Sequence, residues 1–431
     1  MEKRKHIVVI GAGFGGLSFC KKIDKKKFDV TVIDRNNYHS FPPLFYQVAS
    51  GGLEPSSISF PLRREFRGHK IHGCRFRLGD VSSIDPAAHT VTTQYETIGY
   101  DILVIAAGTT NNFFGIEGLR DRVFTLKSTA EAIRCRNEIL LNLELASVET
   151  DPALRRKRLT FAVVGGGPTG VEIAGALGEF KRYIIPREYP SINPADVRVI
   201  LFEGSDRLLR TMSEKSSANA LRDLNKLMVE VKLGKTMKSY ADDGTITFTD
   251  GDTLLAGSMI WTAGVTAEPL TFSDNTPTTV GGGRLKVDAC NRVEGLQDVY
   301  AIGDISCHQS GLWPKGCPQL AQPAIQQGAR LAANLNRPDK AAAFEYRDKG
   351  SMATIGRNRA VVDMNRIHFS GWFAWIMWMA VHLVSLLGMR NKAVVLLNWT
   401  WSYFSFSSAL RLILRPSRFP DKTFDCDDKA R

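Results

Sequence analysis

The chain has no closely spaced cysteine pair. Its seven cysteines, Cys20, Cys74, Cys135, Cys290, Cys307, Cys317 and Cys426, are scattered and odd in number, with no C-x-x-C among them. That argues against metal clusters and against a disulfide framework, and it points to a reducing compartment. No apolar run stands before the first strand in Met1 to Lys5, which predicts no signal peptide. Acidic residues are missing from Met364 to Pro420, and charge of either sign is missing over the 19 residues from Gly371 to Met389. No lysine-rich tail or nucleic-acid motif occurs. The net charge of +12 is therefore assigned to anionic cofactors or anionic lipid, and nucleic acid is not expected as a partner. The length, 431 residues, allows two or three domains.

Two glycine turns organise what is present. Gly11-Ala12-Gly13-Phe14-Gly15-Gly16 follows the β-branched run His6 to Ile10 and precedes a helical pattern from Leu17 to about Lys25. Gly165-Gly166-Gly167-Pro168-Thr169-Gly170 follows the apolar run Leu159 to Val164 and opens into a second helical pattern, Val171 to Leu177. Strand, glycine turn and helix in that order are the context of a dinucleotide-binding fingerprint. The first glycine permits the tight turn, the second lets the backbone approach a pyrophosphate, and the last lets helix and strand pack closely. The helix N-terminus then aims its amides at the phosphates.

An acid ends the next strand of each unit. Asp29 to Ile33 ends at Asp34, 18 residues after Gly16, near the spacing of a carboxylate bonded to ribose hydroxyls. The competing reading of Asp34 is a solvated strand end. Val197 to Phe202 ends at Glu203, but the inserted stretch Lys181 to Asp196 leaves its register less fixed. A carboxylate there favours the free 2′-hydroxyl of NAD and repels the 2′-phosphate of NADP. Two dinucleotides in one chain point to electrons passing between them. The cysteines bear on that chemistry. A disulfide-reducing flavoprotein needs a thiol pair at its flavin, and only Cys20 follows the first turn closely.

The repeat extends further. Gly79-Asp80-Val81 begins a strand beside the first nucleotide. Leu103 to Thr109 closes the first unit, and Ser258 to Thr266 echoes it in the second. Val299 to Asp304 is another buried strand. Asp304 at its end accepts a bond from a ribityl hydroxyl or sits near the pyrophosphate, unless it merely caps a helix. In Ala321 to Gly328, Gln322 and Gln326 share a helix face. Their amides suit the carbonyls of a quinone or an isoalloxazine, although a helix with glutamines is usually just solvated. The loop Phe41 to Leu53 either shapes a pocket for a planar ring or packs a core.

The last third differs in character. On hydropathy, Gly371 to Met389 is long enough to span a bilayer. From Leu396 to Arg415, Leu396, Trp399, Tyr403, Phe406, Leu410 and Ile413 recur at helical spacing. Flanked by Arg390, Lys392, Arg411, Arg415 and Arg418, this pattern reads as an interfacial helix on anionic lipid, with a dimer-forming core helix as its rival. No intramembrane carboxylate or lysine relay for proton pumping is visible. The fold class expected is α/β: two Rossmann-like dinucleotide-binding domains plus a C-terminal amphipathic helical membrane-binding region.

Several stretches together resemble the type II, non-pumping NADH:quinone oxidoreductases. They are the two turns, Pro43-Leu44-Phe45-Tyr46-Gln47-Val48-Ala49, Val163 to Glu172, Gly303-Asp304, A-Q-P-A-I-Q-Q-G at 321 to 328, and Arg390-Asn391-Lys392 with Asn398-Trp399-x-Trp401-x-Tyr403. The octapeptide and the aromatic block discriminate, because other two-dinucleotide flavoproteins share the rest. The resemblance runs from about His6 to Arg415.

It implies a respiratory enzyme passing hydride from NADH to non-covalent FAD and two electrons on to ubiquinone or menaquinone, without proton pumping. It implies FAD at Gly11, Gly13, Phe14, Gly15, Gly16, Asp34, Arg35, Gln47, Val81, Ala107, Gly108, Gly303, Asp304, Ala321 and Gln322. It implies NADH at Gly165, Gly167, Pro168, Thr169, Gly170, Glu172, Glu203, Ala263 and Gly264. No metal is implied. Glu172 would lie between nicotinamide and flavin and assist hydride or proton handling, besides complementing its helix dipole. Gln322 and Gln326 would line the quinone site, with Lys392 at its mouth. Residues 1–120 and 285–360 would form the FAD domain, 121–284 the NADH domain and 361–431 the membrane anchor. A homodimer on the cytoplasmic face of the inner membrane, attached without spanning, is the implied assembly.

The competing functions are a thiol-assisted NADH oxidase or peroxidase, or a sulfide:quinone reductase, using Cys307 or Cys317. A redox-sensing flavoprotein resembling apoptosis-inducing factor is the competitor from a different class.

Overall fold

A computed structural model describes residues 4–67, 73–274, 276–365, 367–405 and 410–414. Two parallel sheets carry the two units. The first has the order Val299–Ala301, Ile102–Ile105, Lys5–Ile10, Phe28–Asp34, Cys74–Leu78. The second has the order Val229–Leu233, Arg198–Glu203, Thr160–Val164, Ser258–Trp261. The registers match as the repeat predicts. Ile10 lies between Ile33 and Ile105, and Val164 lies between Phe202 and Trp261. Continuous β-branched runs suit these strands because both faces are covered; Ile7, Val8 and Val9 have no exposed surface.

The edge strand Cys74–Leu78 carries alternating arginines and is not legible as a buried strand. Val81–Asp85, the strand expected to begin beside the nucleotide, opens an antiparallel meander with Thr90–Thr93 and Thr97–Gly99. Thr109–Asn111 and Val265–Ala267, which end the two units' closing segments, pair antiparallel as the ribbon between them.

The insertion Lys181 to Asp196 continues the second unit's helix through a π-helical stretch, Phe180–Ile184, into the short turn Ile185–Glu188. The C-terminal region is an antiparallel sheet, Ser351–Thr354, Ala360–Met364 and Ile367–Ser370, followed by helices Trp372–Ser385 and Met389–Ser405.

The uncharged run from 371 to 389 is therefore not one span. Its helix has 14 residues, about 21 Å at 1.5 Å per residue, against a hydrocarbon core of about 30 Å. It stops because Leu386 turns extended and Gly388 adopts φ 76° against Phe60. No helix among the described residues is long and apolar enough to cross a membrane. The helix expected over Leu396 to Arg415 starts earlier, and the described residues carry it over Met389–Ser405. Leu410 to Leu414 is irregular and lies against the second unit, where Arg411 Nε donates to Glu188 Oε2 at 2.7 Å. Phe406, Arg415, Arg418 and Cys426 lie outside the described residues.

Candidate active site

The two glycine turns solve one steric problem in the same way. Gly11 and Gly165 sit at φ 96° and 110°, in the left-handed region. A Cβ on Gly16 would meet the Gly11 carbonyl oxygen at 2.0 Å, and one on Gly170 would meet that of Gly165 at 1.8 Å. A Cβ on Gly13 or Gly167 would meet nothing within 4 Å. That open space is what an approaching pyrophosphate needs, so both cradles fit a dinucleotide.

Both strand-end acids hold their turns. Asp34 Oδ2 accepts from Ala12 N at 2.7 Å, and Oδ1 from Asn36 N at 2.7 Å. Glu203 Oε2 accepts from Gly166 N at 2.5 Å, and Oε1 from Ser205 N at 2.8 Å. Neither is a merely solvated strand end. The insertion did not displace Glu203, because the strand returns to the same register before it ends. Burial pushes the Asp34 carboxyl up, opposed by the N–H groups of Ala12 and Asn36.

Around the first turn, Arg35 bridges Glu268 at 2.7 Å and Asp80 at 3.1 Å. Val81, Ala107 and Gly108 are half-buried beside it, and the Gly108 carbonyl accepts from Glu268 N at 3.1 Å. Gly303 N donates to the buried Gln327 Oε1 at 2.7 Å, which fixes Gly303-Asp304 against the helix Ala321–Asn336. Thr109 Oγ1 donates to Asp304 Oδ2 at 3.5 Å and accepts from Lys127 Nζ at 2.9 Å. Gln327 belongs to the octapeptide but lies off the face that Gln322 and Gln326 share. Lys127 stood in no motif.

Around the second turn, Pro168 and Thr169 are exposed at the start of the helix Pro168–Glu179. Ala263 and Gly264 face that turn across the sheet edge, and the Phe114 ring stands over Gly264.

Glu172 is buried on the first turns of that helix. Burial pushes its carboxyl up to about 8, opposed by the Thr354 N–H at 3.5 Å and by the indole of Trp378. Trp378 Nε1 has no well-aligned acceptor of its own among the described residues. Tyr46 lies near enough to Glu172 for the carboxylate to raise the phenol, although burial is the larger cause. Gln47 Nε2 donates to Tyr46 Oη at 2.7 Å, and Gln47 Oε1 accepts from Trp399 Nε1 at 2.8 Å. An aromatic chain continues from Trp378 through His382 (centroids 4.0 Å apart) to Phe41 (6.1 Å) and Phe14 (5.7 Å) of the first turn. The loop 41 to 53 thus packs a core and touches both turns' surroundings. The contacts of Tyr46 with Trp378 and of Phe41 with His382 are not legible in the sequence, because more than 300 residues separate the partners.

The glutamines take backbone partners. Gln322 donates to Gly350 O at 3.0 Å and accepts from Lys349 N at 3.1 Å. Gln326 donates to Arg347 O and accepts from Arg347 N, both at 3.0 Å. Together they brace the segment 347–350 on the helix that begins at Ala321. Lys392 is half-buried and donates to Val384 O at 2.7 Å, closing the end of the preceding helix. Its bond goes to neither glutamine.

The thiols fit no relay to a bound ring. Cys307 donates to the Lys315 carbonyl at 3.7 Å, and burial pushes Cys317 up to about 11. Cys20 and Cys74 meet in the first unit's apolar core, a proximity their spacing does not reveal.

A fold with two such cradles defines a class. The family model for the pyridine nucleotide-disulphide oxidoreductases matches residues 5–328, and the model for the NDH2 C-terminal domain matches 349–405. Type II NADH:quinone oxidoreductase NdhA of Mycobacterium tuberculosis is 36% identical over 420 residues, covering 93% of this chain and 87% of its own. The mitochondrial internal alternative NAD(P)H-ubiquinone oxidoreductase A1 of Arabidopsis thaliana is 31% identical, covering 93% and 84%. The solved structure of NDH2 from Plasmodium falciparum in complex with NADH shares the fold, with a TM-score of 0.88 at 22% identity over 96% of this chain and 100% of that one. The chain belongs to the type II NADH:quinone oxidoreductases.

Proposed function

We propose that the protein oxidises NADH and reduces a membrane quinone through a resident FAD: NADH, one proton and quinone give NAD⁺ and quinol. Bound FAD supplies the chemistry of accepting a hydride at one face and delivering two electrons onward. The chain's own groups bind, orient and handle the second proton. The observation that carries the reading is Glu172, a buried carboxyl held up to about 8 between the second cradle and the Trp378 indole. A carboxyl that keeps its proton near neutral pH can donate it and regain it.

The turn Gly11 to Gly16, Asp34, Arg35, Gln47, Val81, Ala107, Gly108, Gly303, Asp304, Ala321 and Gln322 form the FAD site. Gly165 to Gly170, Glu172, Glu203, Ala263 and Gly264 form the NADH site. Residues 1–120 and 285–360 then make one domain and 121–284 the other. Gln322 and Gln326 act in quinone reduction by bracing the segment 347–350 at the edge of that site, and Lys392 marks its membrane side.

A groove of about 420 Å³ between the two C-terminal helices, lined by Trp375, Met379, Leu383, Trp399 and Tyr403, supports an apolar route for the quinone. Phe373, Leu397, Trp401 and Phe404 are all at least two-thirds exposed, which supports seating on the cytoplasmic face of the inner membrane. The anchor is residues 361–431, and the assembly is a homodimer.

The test is the absorbance spectrum of the purified protein, followed by anaerobic NADH and then a soluble quinone. A flavin spectrum that bleaches with NADH and returns with quinone is expected. Bound FAD without turnover would sink the proposal.

A further inference from the structure

We propose that Lys127 is a positioning residue for the flavin: it locks Asp304 and the crossover ribbon in place and sets a cation beside the first cradle. The inference rests on the flavin reading above.

The backbone aims this side chain. Ser128 caps the helix Thr129–Val148 by accepting from Glu131 N at 3.1 Å, while Glu131 Oε2 accepts from Lys127 N at 2.7 Å. This reciprocal pair fixes the residue just before the helix. The ammonium then crosses to the first unit and donates to Thr109 Oγ1 at 2.9 Å, and that hydroxyl donates to Asp304 at 3.5 Å. The Thr109 hydroxyl is the shared node: it ties Lys127 to Asp304, 195 residues further along the chain than Thr109. Asp304 is held from its other side by the bond between Gly303 N and Gln327.

Thr109 also begins the ribbon with Val265–Ala267. Glu268, next along, sends its N–H to Gly108 O and its carboxylate to Arg35. Charges therefore alternate as Asp304, Lys127, Glu268, Arg35 and Asp80. The line runs from Asp304, read against the ribityl chain or the pyrophosphate, to Arg35, the neighbour of the ribose-assigned Asp34, and on to Asp80.

Burial pulls the Lys127 ammonium down from the usual lysine range, opposed by Asp304, Glu131 and Glu268. A half-buried cation that merely filled space would be replaceable by an apolar side chain at little cost. This one faces Asp304, Glu131 and Glu268, of which Glu268 also pairs with Arg35 and Asp304 also feels Arg284. Without it, the field at the ring turns more negative, which disfavours the reduced cofactor.

Lys127→Met and Lys127→Arg separate charge from packing. The measurements are the rate of FAD release after dilution, followed by flavin fluorescence, and the two-electron midpoint potential by dye equilibration. Lys127→Met is expected to release FAD at least tenfold faster and to lower the potential. A tenfold change in preference between oxidation states corresponds to about 30 mV. Lys127→Arg is expected to stay within about twofold of wild type in release rate. Thr109→Val keeps the ammonium and cuts the tie, so release should quicken while the potential holds; it also serves if Lys127→Met fails to fold. Wild-type release and potential in Lys127→Met, or in Thr109→Val a wild-type release rate, would overturn the proposal. A wild-type protein without flavin would overturn it together with the reading on which it rests.

Discussion

The two cradles share their sterics and differ in what closes over them. The first turn is roofed. The helix Ala321–Asn336 lies along Phe14–Lys22 so closely that a Cβ on Gly328 would stand 2.4 Å from the Gly15 carbonyl oxygen. Behind the turn, His39 Nδ1 donates to Ala12 O at 2.9 Å, and burial holds that imidazole neutral, at about 4. The second turn is open at its mouth, with Pro168 and Thr169 exposed, and is braced at the far end of its helix, where Gly175 packs on Ile355. A roofed cradle suits a resident cofactor and an open one suits an exchanging substrate. The helices also diverge at an equivalent position two residues past the last glycine. There the first has Ser18, which ties down the roof through Ile325 O at 2.7 Å, and the second has the buried Glu172.

The sharpest way to break this comparison is to fill the glycines. Gly170→Ala would set a methyl 1.8 Å from the Gly165 carbonyl oxygen, so the turn must deform. The expected loss in NADH-driven flavin reduction is more than about 100-fold, roughly 3 kcal/mol, with FAD retained. Gly16→Ala should instead cost the FAD. Gly167→Ala meets no protein atom within 4 Å, so Tm should hold while KM for NADH rises about tenfold, near 1.4 kcal/mol. Stopped-flow reduction and flavin content check all three. FAD loss from Gly170→Ala would show that the second cradle holds the resident cofactor.

Next in size is Glu172. Its folded value of about 8 lies above the ordinary 4.5. The protonated form therefore favours folding; that stability is fully present below about pH 4.5 and is lost as pH rises through 8, by at most about 5 kcal/mol. Glu172→Gln should flatten this dependence in denaturation series run from pH 5 to 9. It should also lower kcat for quinone reduction about 100-fold and abolish the limb of the pH–rate profile near 8. An unchanged limb would assign that titration to another group.

Much of this division was legible in the chain. Strand, turn, helix and strand-end acid recur in the same order, with the acid 18 residues after the last glycine in the first unit and 33 in the second, and local sequence alone carries that order. Asp34, Glu203 and the echo of Leu103 to Thr109 in Ser258 to Thr266 were found that way. What was missed depends on contacts between distant segments. Lys127 matters only because the ribbon carries Thr109 to it, and Trp378 only because the C-terminal helices fold back over Tyr46. Hydropathy also failed at 371 to 389, since an average over the window cannot register the break at Leu386 to Gly388. The glutamine pair at 322 and 326 was recognised as a shared face, but its partner, the backbone of 347–350, has no side-chain signature.

The smallest expected effect on turnover tests whether the comparison stands apart from membrane attachment. Trp401 and Phe404 are 69% and 78% exposed, and with Leu397 they form one apolar stripe at spacings of four and three. Their rings face away from the Trp399–Gln47 contact that reaches the site. Charges there should oppose insertion among lipid tails without disturbing either cradle. Trp401→Glu combined with Phe404→Glu is therefore expected to move the protein from the membrane pellet to the soluble fraction. FAD content, NADH reduction of the flavin and turnover with a water-soluble quinone should stay within about twofold, because exposed substitutions seldom shift stability by more than about 0.5 kcal/mol. Persistent pelleting would move the docking surface elsewhere. Slowed flavin reduction would mean that the C-terminal helices bear on the open cradle directly, through Trp378 and Glu172, and the two units would then differ by what the membrane does to one of them.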